Sequence, residues 1–289
     1  TSEIDLSMVS DKLTKILIGD GRGAAKNRDV AKSALKSKIQ EIIKREGFEE
    51  FIDKDVVFIV SSTGGGSGSG IAPIFSRVIK DAYPNTVIIP IGVLTKFNEA
   101  YSNQANTLDY LREMYKNLSD MPYMLYDNNA AGNVPTQQMM SIINNTIVDD
   151  IEVLSGKFNL PTRFNAIDEK ELINLLSLSG RIAVSSVRCI TEKNLDNKTI
   201  EELLIDSIQK MNHVSLEGDK KIKRLGLITN LNHKMSETID ISRLYKLNDL
   251  IGEPIEIYNH ETVHEDKIYD NNIFVIMSGL SKIKNHIGN

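Results

Sequence analysis

Residues 56–80 read VVFIVSSTGGGSGSGIAPIFSRVIK, and no other stretch limits the possible folds as tightly. DVVFIVSS is a continuous β-branched run, the pattern of a strand buried on both faces. IAPIFSRVIKDAY has apolar residues at helical spacing. Between them stand Gly64, Gly65, Gly66, Gly68 and Gly70, interleaved with Ser67 and Ser69 and preceded by Thr63. A linker would have polar flanks, and a structural turn needs one or two glycines. Five glycines remove the Cβ atoms that keep a ligand from backbone N–H groups. The helix that follows offers free N–H donors and the positive end of its dipole. Strand, glycine run and helix start together predict an anion cradle, with three hydroxyls as further donors. No GK[ST] follows, which excludes a P-loop. The glycines are too dense for the G-x-G-x-x-G dinucleotide fingerprint, and the expected acid further on is absent.

The flanking segments set the architecture. KILIGD reads as a short strand, NRDVAKSALKSKIQEIIKREG as a helix with a glycine stop, and NTVIIPIGVL as an apolar strand. NQANTLDYLREMYKNL is again helical and PYMLYD strand-like. This βαβα order predicts a parallel sheet with right-handed crossovers. Residues 134–154 predict one long helix, with Pro135 in its first turn and Gly156 as its stop. Met139, Ile143, Ile147, Ile151 and Leu154 form its apolar stripe. Four strands then follow (RIAVSSVRCI, KRLGLITNL, EPIEIYNHET, NNIFVIMSG), with the helix TIEELLIDSIQKM between the first two and a possible short helix at 242–251. The expected plan is an α/β chain: a nucleotide domain over 1–133, a central helix over 134–156, and a smaller domain with a mixed sheet over 157–289.

Bulk properties narrow the function. A net charge of −5 gives no reason to expect direct binding to nucleic acid or an anionic membrane. The single cysteine, Cys189, rules out an intramolecular disulfide and is expected as a small buried hydrophobe. There is no 18-residue apolar run to span a membrane and no visible signal peptide, so the cytoplasm is the default compartment.

STGGGSGSG resembles the signature loop of the tubulin and FtsZ superfamily, usually GGGTGTG or GGGTGSG, with Ser67 where Thr is usual. GDGRGAAKNRDVAK is similar to a second loop of that family near the γ-phosphate. The resemblance implies close backbone approach at Gly21, Gly23, Ala24 and Ala25, with Arg22, Lys26 or Arg28 facing phosphate. KFNEAYSNQANTL resembles the tubulin segment EPYNATL, which implies that Glu99 accepts a ribose hydroxyl and that Tyr101 and Asn103 hold matching positions. YMLYDNNA resembles TYCIDNEA, which makes Asn128 a guanine contact. On the long helix, Asn144 or Asn145 would face the base; the register of Ile147, Ile151 and Leu154 favours Asn145. Adjacent helical positions point about 100° apart, so the two cannot share one task. RFNAIDEKELINLLSLSGRIAV resembles the loop that enters the next subunit's nucleotide pocket, and implies Asp168 and Glu171 as the acids that polarise the attacking water. Asn165 stands one residue further from Asp168 than the family pattern has it. The same Asp–Glu pair at i,i+3 also suits a helix start.

The resemblance is strongest to the TubZ proteins of plasmids and phages. It implies a GTPase that binds GTP or GDP with Mg²⁺ and polymerises head-to-tail, its active site completed by the neighbouring subunit. It further implies DNA segregation through a DNA-binding adaptor in a bacterial cytoplasm, without membrane or direct nucleic-acid contact. A phage nucleus-positioning tubulin, a divergent FtsZ-like division protein and a hydrolysis-deficient regulatory homologue are the alternatives. A Rossmann-type dehydrogenase or transferase is a more distant one. The family layout also places a first strand and a phosphate loop upstream of Thr1.

Overall fold

The computed structural model describes residues 10, 13–156, 165–197, 199–211, 213–214, 222–239, 247, 251–265 and 270–281. They divide into two compact units, with the boundary between Tyr123 and Met124.

In the first unit, helix α1 (Arg28–Ile43) starts where the Asn27 side chain accepts hydrogen bonds from the backbone N–H groups of Asp29 and Val30. Its buried stripe includes Ala31, Leu35 and Ile42. Short helix α2 (Phe48–Ile52) leads into β1 (Val56–Ser62), α3 (Gly66–Ala82), β2 (Val87–Leu94) and α4 (Tyr101–Asn117). β1 and β2 pair in parallel from Val56↔Val87 to Ser62↔Val93, as the βαβ pattern requires. β2 is buried along nearly its whole length, while β1 is not: Val60 is 51% exposed. The expectation that β1 is covered on both faces is therefore corrected. It is the end strand of its sheet among the described residues, with a neighbour on one side only. KILIGD does not form a strand either, since residues 14–18 carry no ladder. Ile16, Leu17 and Ile18 instead are half-buried and line a cavity with Val30, Ala31 and Ile71.

Strand β3 (Pro122–Asp127) carries the chain into the second unit. That unit contains α5 (Thr136–Leu154), α6 (Glu169–Ser177), β4 (Gly180–Val187), α7 (Glu192–Asn197), α8 (Ile200–Gln209), β5 (Arg224–Asn232), α9 (His233–Thr238), β6 (Glu256–His264) and β7 (Asn272–Leu280). Its strands run in the order β3-β4-β7-β5-β6. β7 is antiparallel to β4 and β5, and β5 is parallel to β6, so the sheet is mixed. All four strands expected from the second half are present. Leu204 and Ile208 of α8 pack on Leu225, Leu227, Val275 and Met277 of the sheet.

The long helix α5 has Pro135 at its N-cap position, just before the first turn and with no side-chain cap bond, and is stopped at Gly156, whose φ of 73° is the left-handed turn glycine favours. Its buried face includes Met139, Ile143, Ile147 and Leu154, but also Asp150 rather than Ile151. Asp150 is buried because its carboxylate accepts from Tyr126 Oη at 2.8 Å and lies 2.9 Å from His213 Nε2. Burial and the adjacent carboxylate push the Tyr126 phenol well above its ordinary pKa. Cys189 is exposed, contrary to expectation. It sits beyond the end of β4 at φ 53°, with its N–H bonded to Asn272 Oδ1, so a turn takes it out of the alternation that buries β4. The possible helix at 242–251 lies outside the described residues except for Leu247 and Ile251.

Candidate functional site

Only the front of the glycine run, residues 63–65, is a turn. Helix α3 already begins at Gly66, and Gly65 is its N-cap with no side-chain cap bond. A glycine at the N-cap has no side chain with which to engage a first-turn N–H. The glycines themselves have two different reasons. A Cβ on Gly66 would stand 2.7 Å from the Asn27 nitrogen and 2.8 Å from the Lys26 carbonyl carbon. On Gly68 it would meet the Ser62 carbonyl oxygen at 2.7 Å, and on Gly70 the Arg28 carbonyl oxygen at 2.7 Å. Gly66 and Gly70 let α3 lie directly against the loop before α1 and against α1 itself, and Gly68 lets it lie against the end of β1. Gly64 is also enclosed, by Thr95 and Asn103. Only Gly65 of the five has open space where a side chain would be, as does Gly23 of the loop before α1.

The hydroxyls separate in the same way. Thr63 is fully buried; its Oγ1 donates to the Val93 carbonyl at 2.9 Å and lies 2.9 Å from Thr107 Oγ1. Ser69 is fully buried and bonded to the Gly65 carbonyl one turn back. Both hydroxyls expected to point at a ligand thus support the loop from behind. Ser67 is half-buried and lines a cavity of about 290 Å³ with Gly19, Asp20, Gly23 and Ala24.

The loop before α1 turns through left-handed backbone at Gly19, Gly21, Gly23, Ala25 and Lys26. At Ala25 and Lys26 this conformation is costly for a residue with a side chain. It is held from the far side by α4. Asn106 Nδ2 donates to the Lys26 carbonyl at 2.9 Å and to the Gly64 carbonyl at 3.1 Å, tying the two loops together. One turn earlier, Asn103 Nδ2 donates to Glu99 Oε2 at 2.8 Å, while Glu99 Oε1 accepts from the Lys96 N–H at 2.9 Å. Glu99 and Asn103 are therefore brought together beside Gly64, and Tyr101 is left exposed. Asn106 is a residue the sequence reading passed over. Its signal was present: Asn103, Asn106 and Thr107 fall at i, i+3 and i+4, a polar stripe on one helix face.

Arg28 does not face a ligand. It is 7% exposed, and its Nη2 donates to the Ser69 carbonyl at 3.0 Å and to Glu113 Oε2 at 2.7 Å. Glu113 also pairs with Lys32. Arg28 thus joins α1, α3 and α4 as a structural cation, whereas Arg22 and Lys26 remain exposed on the loop.

In the second unit, Asn128 follows β3 in a tight turn, half-buried, where Asp127 Oδ1 accepts from the Asn129 N–H at 2.8 Å. Asn144 and Asn145 are both exposed on α5. Asp168 and Glu171 start α6 with a capping box: Asp168 Oδ1 accepts from the Glu171 N–H at 2.8 Å, and Glu171 Oε2 accepts from the Asp168 N–H at 3.0 Å. Both residues are exposed, and the cap engages one oxygen of each carboxylate.

Residues 2–135 match the family described as Tubulin/FtsZ family, GTPase domain. This part of the chain is similar to a Tubulin/FtsZ-family GTPase domain. Among curated relatives, the CetZ tubulin-like protein of Pyrococcus abyssi is 27% identical over 206 residues, which is 68% of this chain and 54% of that protein. The FtsZ 2 cell division protein of Halobacterium salinarum is 26% identical over 223 residues, covering 74% of this chain and 52% of that one. The chain spans about half the length of the curated relatives it matches. Among solved structures, TubZ of Clostridium botulinum phage c-st superposes with a TM-score of 0.75 at 20% identity, covering 99% of this chain and 84% of that one. At that identity the likeness is one of fold. The glycine run, the α1 loop and the Glu99–Asn106 face all lie inside the matched GTPase domain.

Proposed function

We propose that this chain binds and hydrolyses GTP and polymerises head-to-tail, each active site completed by the acids of the next subunit. One observation carries the binding half: a helix start at Gly65–Gly66 with no side-chain cap, beside a second glycine loop tied to it by Asn106. Backbone donors of that kind fit a polyphosphate, and the open positions at Gly65 and Gly23 leave room for close approach. Glu99 has the acceptor oxygens a ribose diol needs, and Asn128 with Asn145 or Asn144 has the donor and acceptor a guanine edge needs. Among the described residues no cluster of three His, Cys, Asp or Glu side chains gathers to hold a metal. Mg²⁺ bound with the nucleotide would offset charge on the reacting phosphoryl group.

In this reading residues 1–133 bind the nucleotide, 134–156 form the connecting helix, and 157–289 present Asp168 and Glu171 to a neighbour. Splitting the site couples turnover to assembly: the nucleotide-bearing face lacks its acids until a second copy docks. A heterologous contact that does not close gives a filament. A relative of the same fold, CetZ2 of Haloferax volcanii, has been solved as a GTPγS-bound protofilament, with a TM-score of 0.75 at 18% identity over 98% of this chain and 83% of that one. Among the described residues no helix is long and apolar enough to cross a membrane. The finer reading, plasmid or phage DNA segregation through a DNA-binding adaptor, follows from the motif resemblance to TubZ. The curated relatives named CetZ and FtsZ 2 favour the broader cytoskeletal reading.

Light scattering of the full-length protein with GTP, then with GDP, tests this, with phosphate release followed in parallel. The expected result is scattering that rises with GTP and decays as phosphate appears. Scattering that is the same in GTP and GDP contradicts the proposal.

A further inference from the structure

The loop that carries Asp168 is fastened to the outer edge of β6 by three hydrogen bonds. Asn165 Nδ2 donates to Glu261 Oε1 at 3.1 Å, and the Asn165 carbonyl accepts from the Glu261 N–H at 3.0 Å. Two residues on, the Ile167 N–H donates to His260 Nδ1 at 3.2 Å, and the Ile167 side chain is buried. The edge N–H of β6 and two successive side chains thus hold one short segment, immediately before the capping box. His260 is 2% exposed. Because Nδ1 receives a backbone N–H, the ring must be neutral with its proton on Nε2. Burial pushes the imidazole pKa down, which favours that form. The far end of α6 is held by β6 and its neighbour β5. Asn174 Nδ2 donates to Tyr258 Oη at 2.5 Å, and Arg224 Nη1 donates to the Asn174 carbonyl at 2.5 Å. Nine residues of helix are therefore anchored at both ends, with Asp168 and Glu171 at the exposed start.

We propose that Asn165, His260 and Glu261 are positioning residues that fix the direction in which Asp168 and Glu171 leave the surface, an inference that rests on reading those two as the water-activating pair. The residue that departs from the family spacing, Asn165, has a role here: it is the clamp's outer jaw. Acids that act on a partner's nucleotide have only their own subunit to orient them, and a misplacement of about 1 Å costs roughly a hundredfold in rate.

The test uses the full-length protein and compares Asn165→Ala, His260→Leu and the near-isosteric His260→Asn, which keeps an acceptor close to the Nδ1 position. Steady-state GTP turnover is measured in assembled filaments, together with sedimentation and exchange protection of the Ile167 amide. Asn165→Ala and His260→Leu are expected to lower kcat about tenfold or more. KM and the sedimented fraction should stay near parental, the Ile167 amide should lose protection in His260→Leu, and His260→Asn should restore both kcat and protection. Asn165 is exposed, so its substitution keeps the test open if His260→Leu fails to fold. Asp168→Ala, run alongside, separates two failures. If it abolishes turnover while Asn165→Ala, and His260→Leu where it folds, turn over within twofold of parental, the clamp is not a positioning device. If Asp168→Ala itself turns over at the parental rate, the reading of the acids fails and the clamp proposal falls with it.

Discussion

Gly65 and Gly66 are adjacent and chemically identical, yet the structure gives them different work. Gly66 lies against the backbone of Lys26 and Asn27, where even a methyl group would force the two loops apart. Gly65 faces open space at a φ of −80° that any residue can adopt. Gly66→Ala is therefore expected to destabilise the fold by about 1–3 kcal/mol, read as a lower denaturation midpoint. Gly65→Ala is expected to cost only about 0.5 kcal/mol of stability, the small preference for glycine over alanine at an N-cap. It should nonetheless weaken GTP binding by about tenfold, or ~1.4 kcal/mol, because its methyl group occupies the phosphate's approach. Calorimetry of nucleotide binding and thermal unfolding of both variants separate the two roles. Equal stability losses would show that Gly65 is a packing glycine as well. Counting glycines in the sequence could not make this distinction, since contact between α3 and the α1 loop is a tertiary fact.

At the scale of elements, helix α6 combines two properties that a sequence cannot separate. Its Asp–x–x–Glu start is both a capping box and the expected acid pair, and the structure shows the capping bonds directly. Serine at position 168 would keep a cap acceptor and remove the carboxylate. Asp168→Ser is expected to unfold within about 0.5 kcal/mol of the parental protein, whereas Asp168→Ala loses about 1 kcal/mol with its cap. Both should lose at least a hundredfold or so in GTP turnover if the carboxylate acts on water. A serine variant with parental turnover would mean that Asp168 only caps the helix. The elements themselves were largely legible. Continuous β-branched runs marked β1 and β2, helical apolar spacing marked α1 and α5, and PYMLYD matched β3 end to end. The failures share a cause. KILIGD and Cys189 both have strand-like neighbours, but a strand needs an aligned partner, and one segment carries no ladder and lines a cavity while the other turns away past β4. Asp150 on the apolar face of α5 was invisible because its partners, Tyr126 and His213, lie 24 and 63 residues away. Of the candidate site, the glycine loops and the Glu99–Asn103 pair were legible through their motifs. Asn106 and the β6 clamp were not, because each acts by hydrogen bonds to distant backbone.

For the whole molecule, the account turns on a division of labour between copies. On the proposed reading the start of α3 and the loop before α1 would supply donors for a polyphosphate, and Asp168 and Glu171 stand exposed at the start of α6 in the second unit. If the acids serve a neighbour's nucleotide, an isolated subunit is a GTP-binding protein with little activity, and contact between copies switches turnover on. Association of that kind also makes activity a function of concentration rather than of the molecule alone. The most direct measurement is GTP turnover per subunit of the full-length protein, from concentrations where it is monomeric to concentrations where it sediments as polymer. The account predicts near-zero turnover per subunit when dilute, a steep rise at the concentration where polymer first appears, and a plateau above it. Turnover per subunit that stays constant across that range would contradict it.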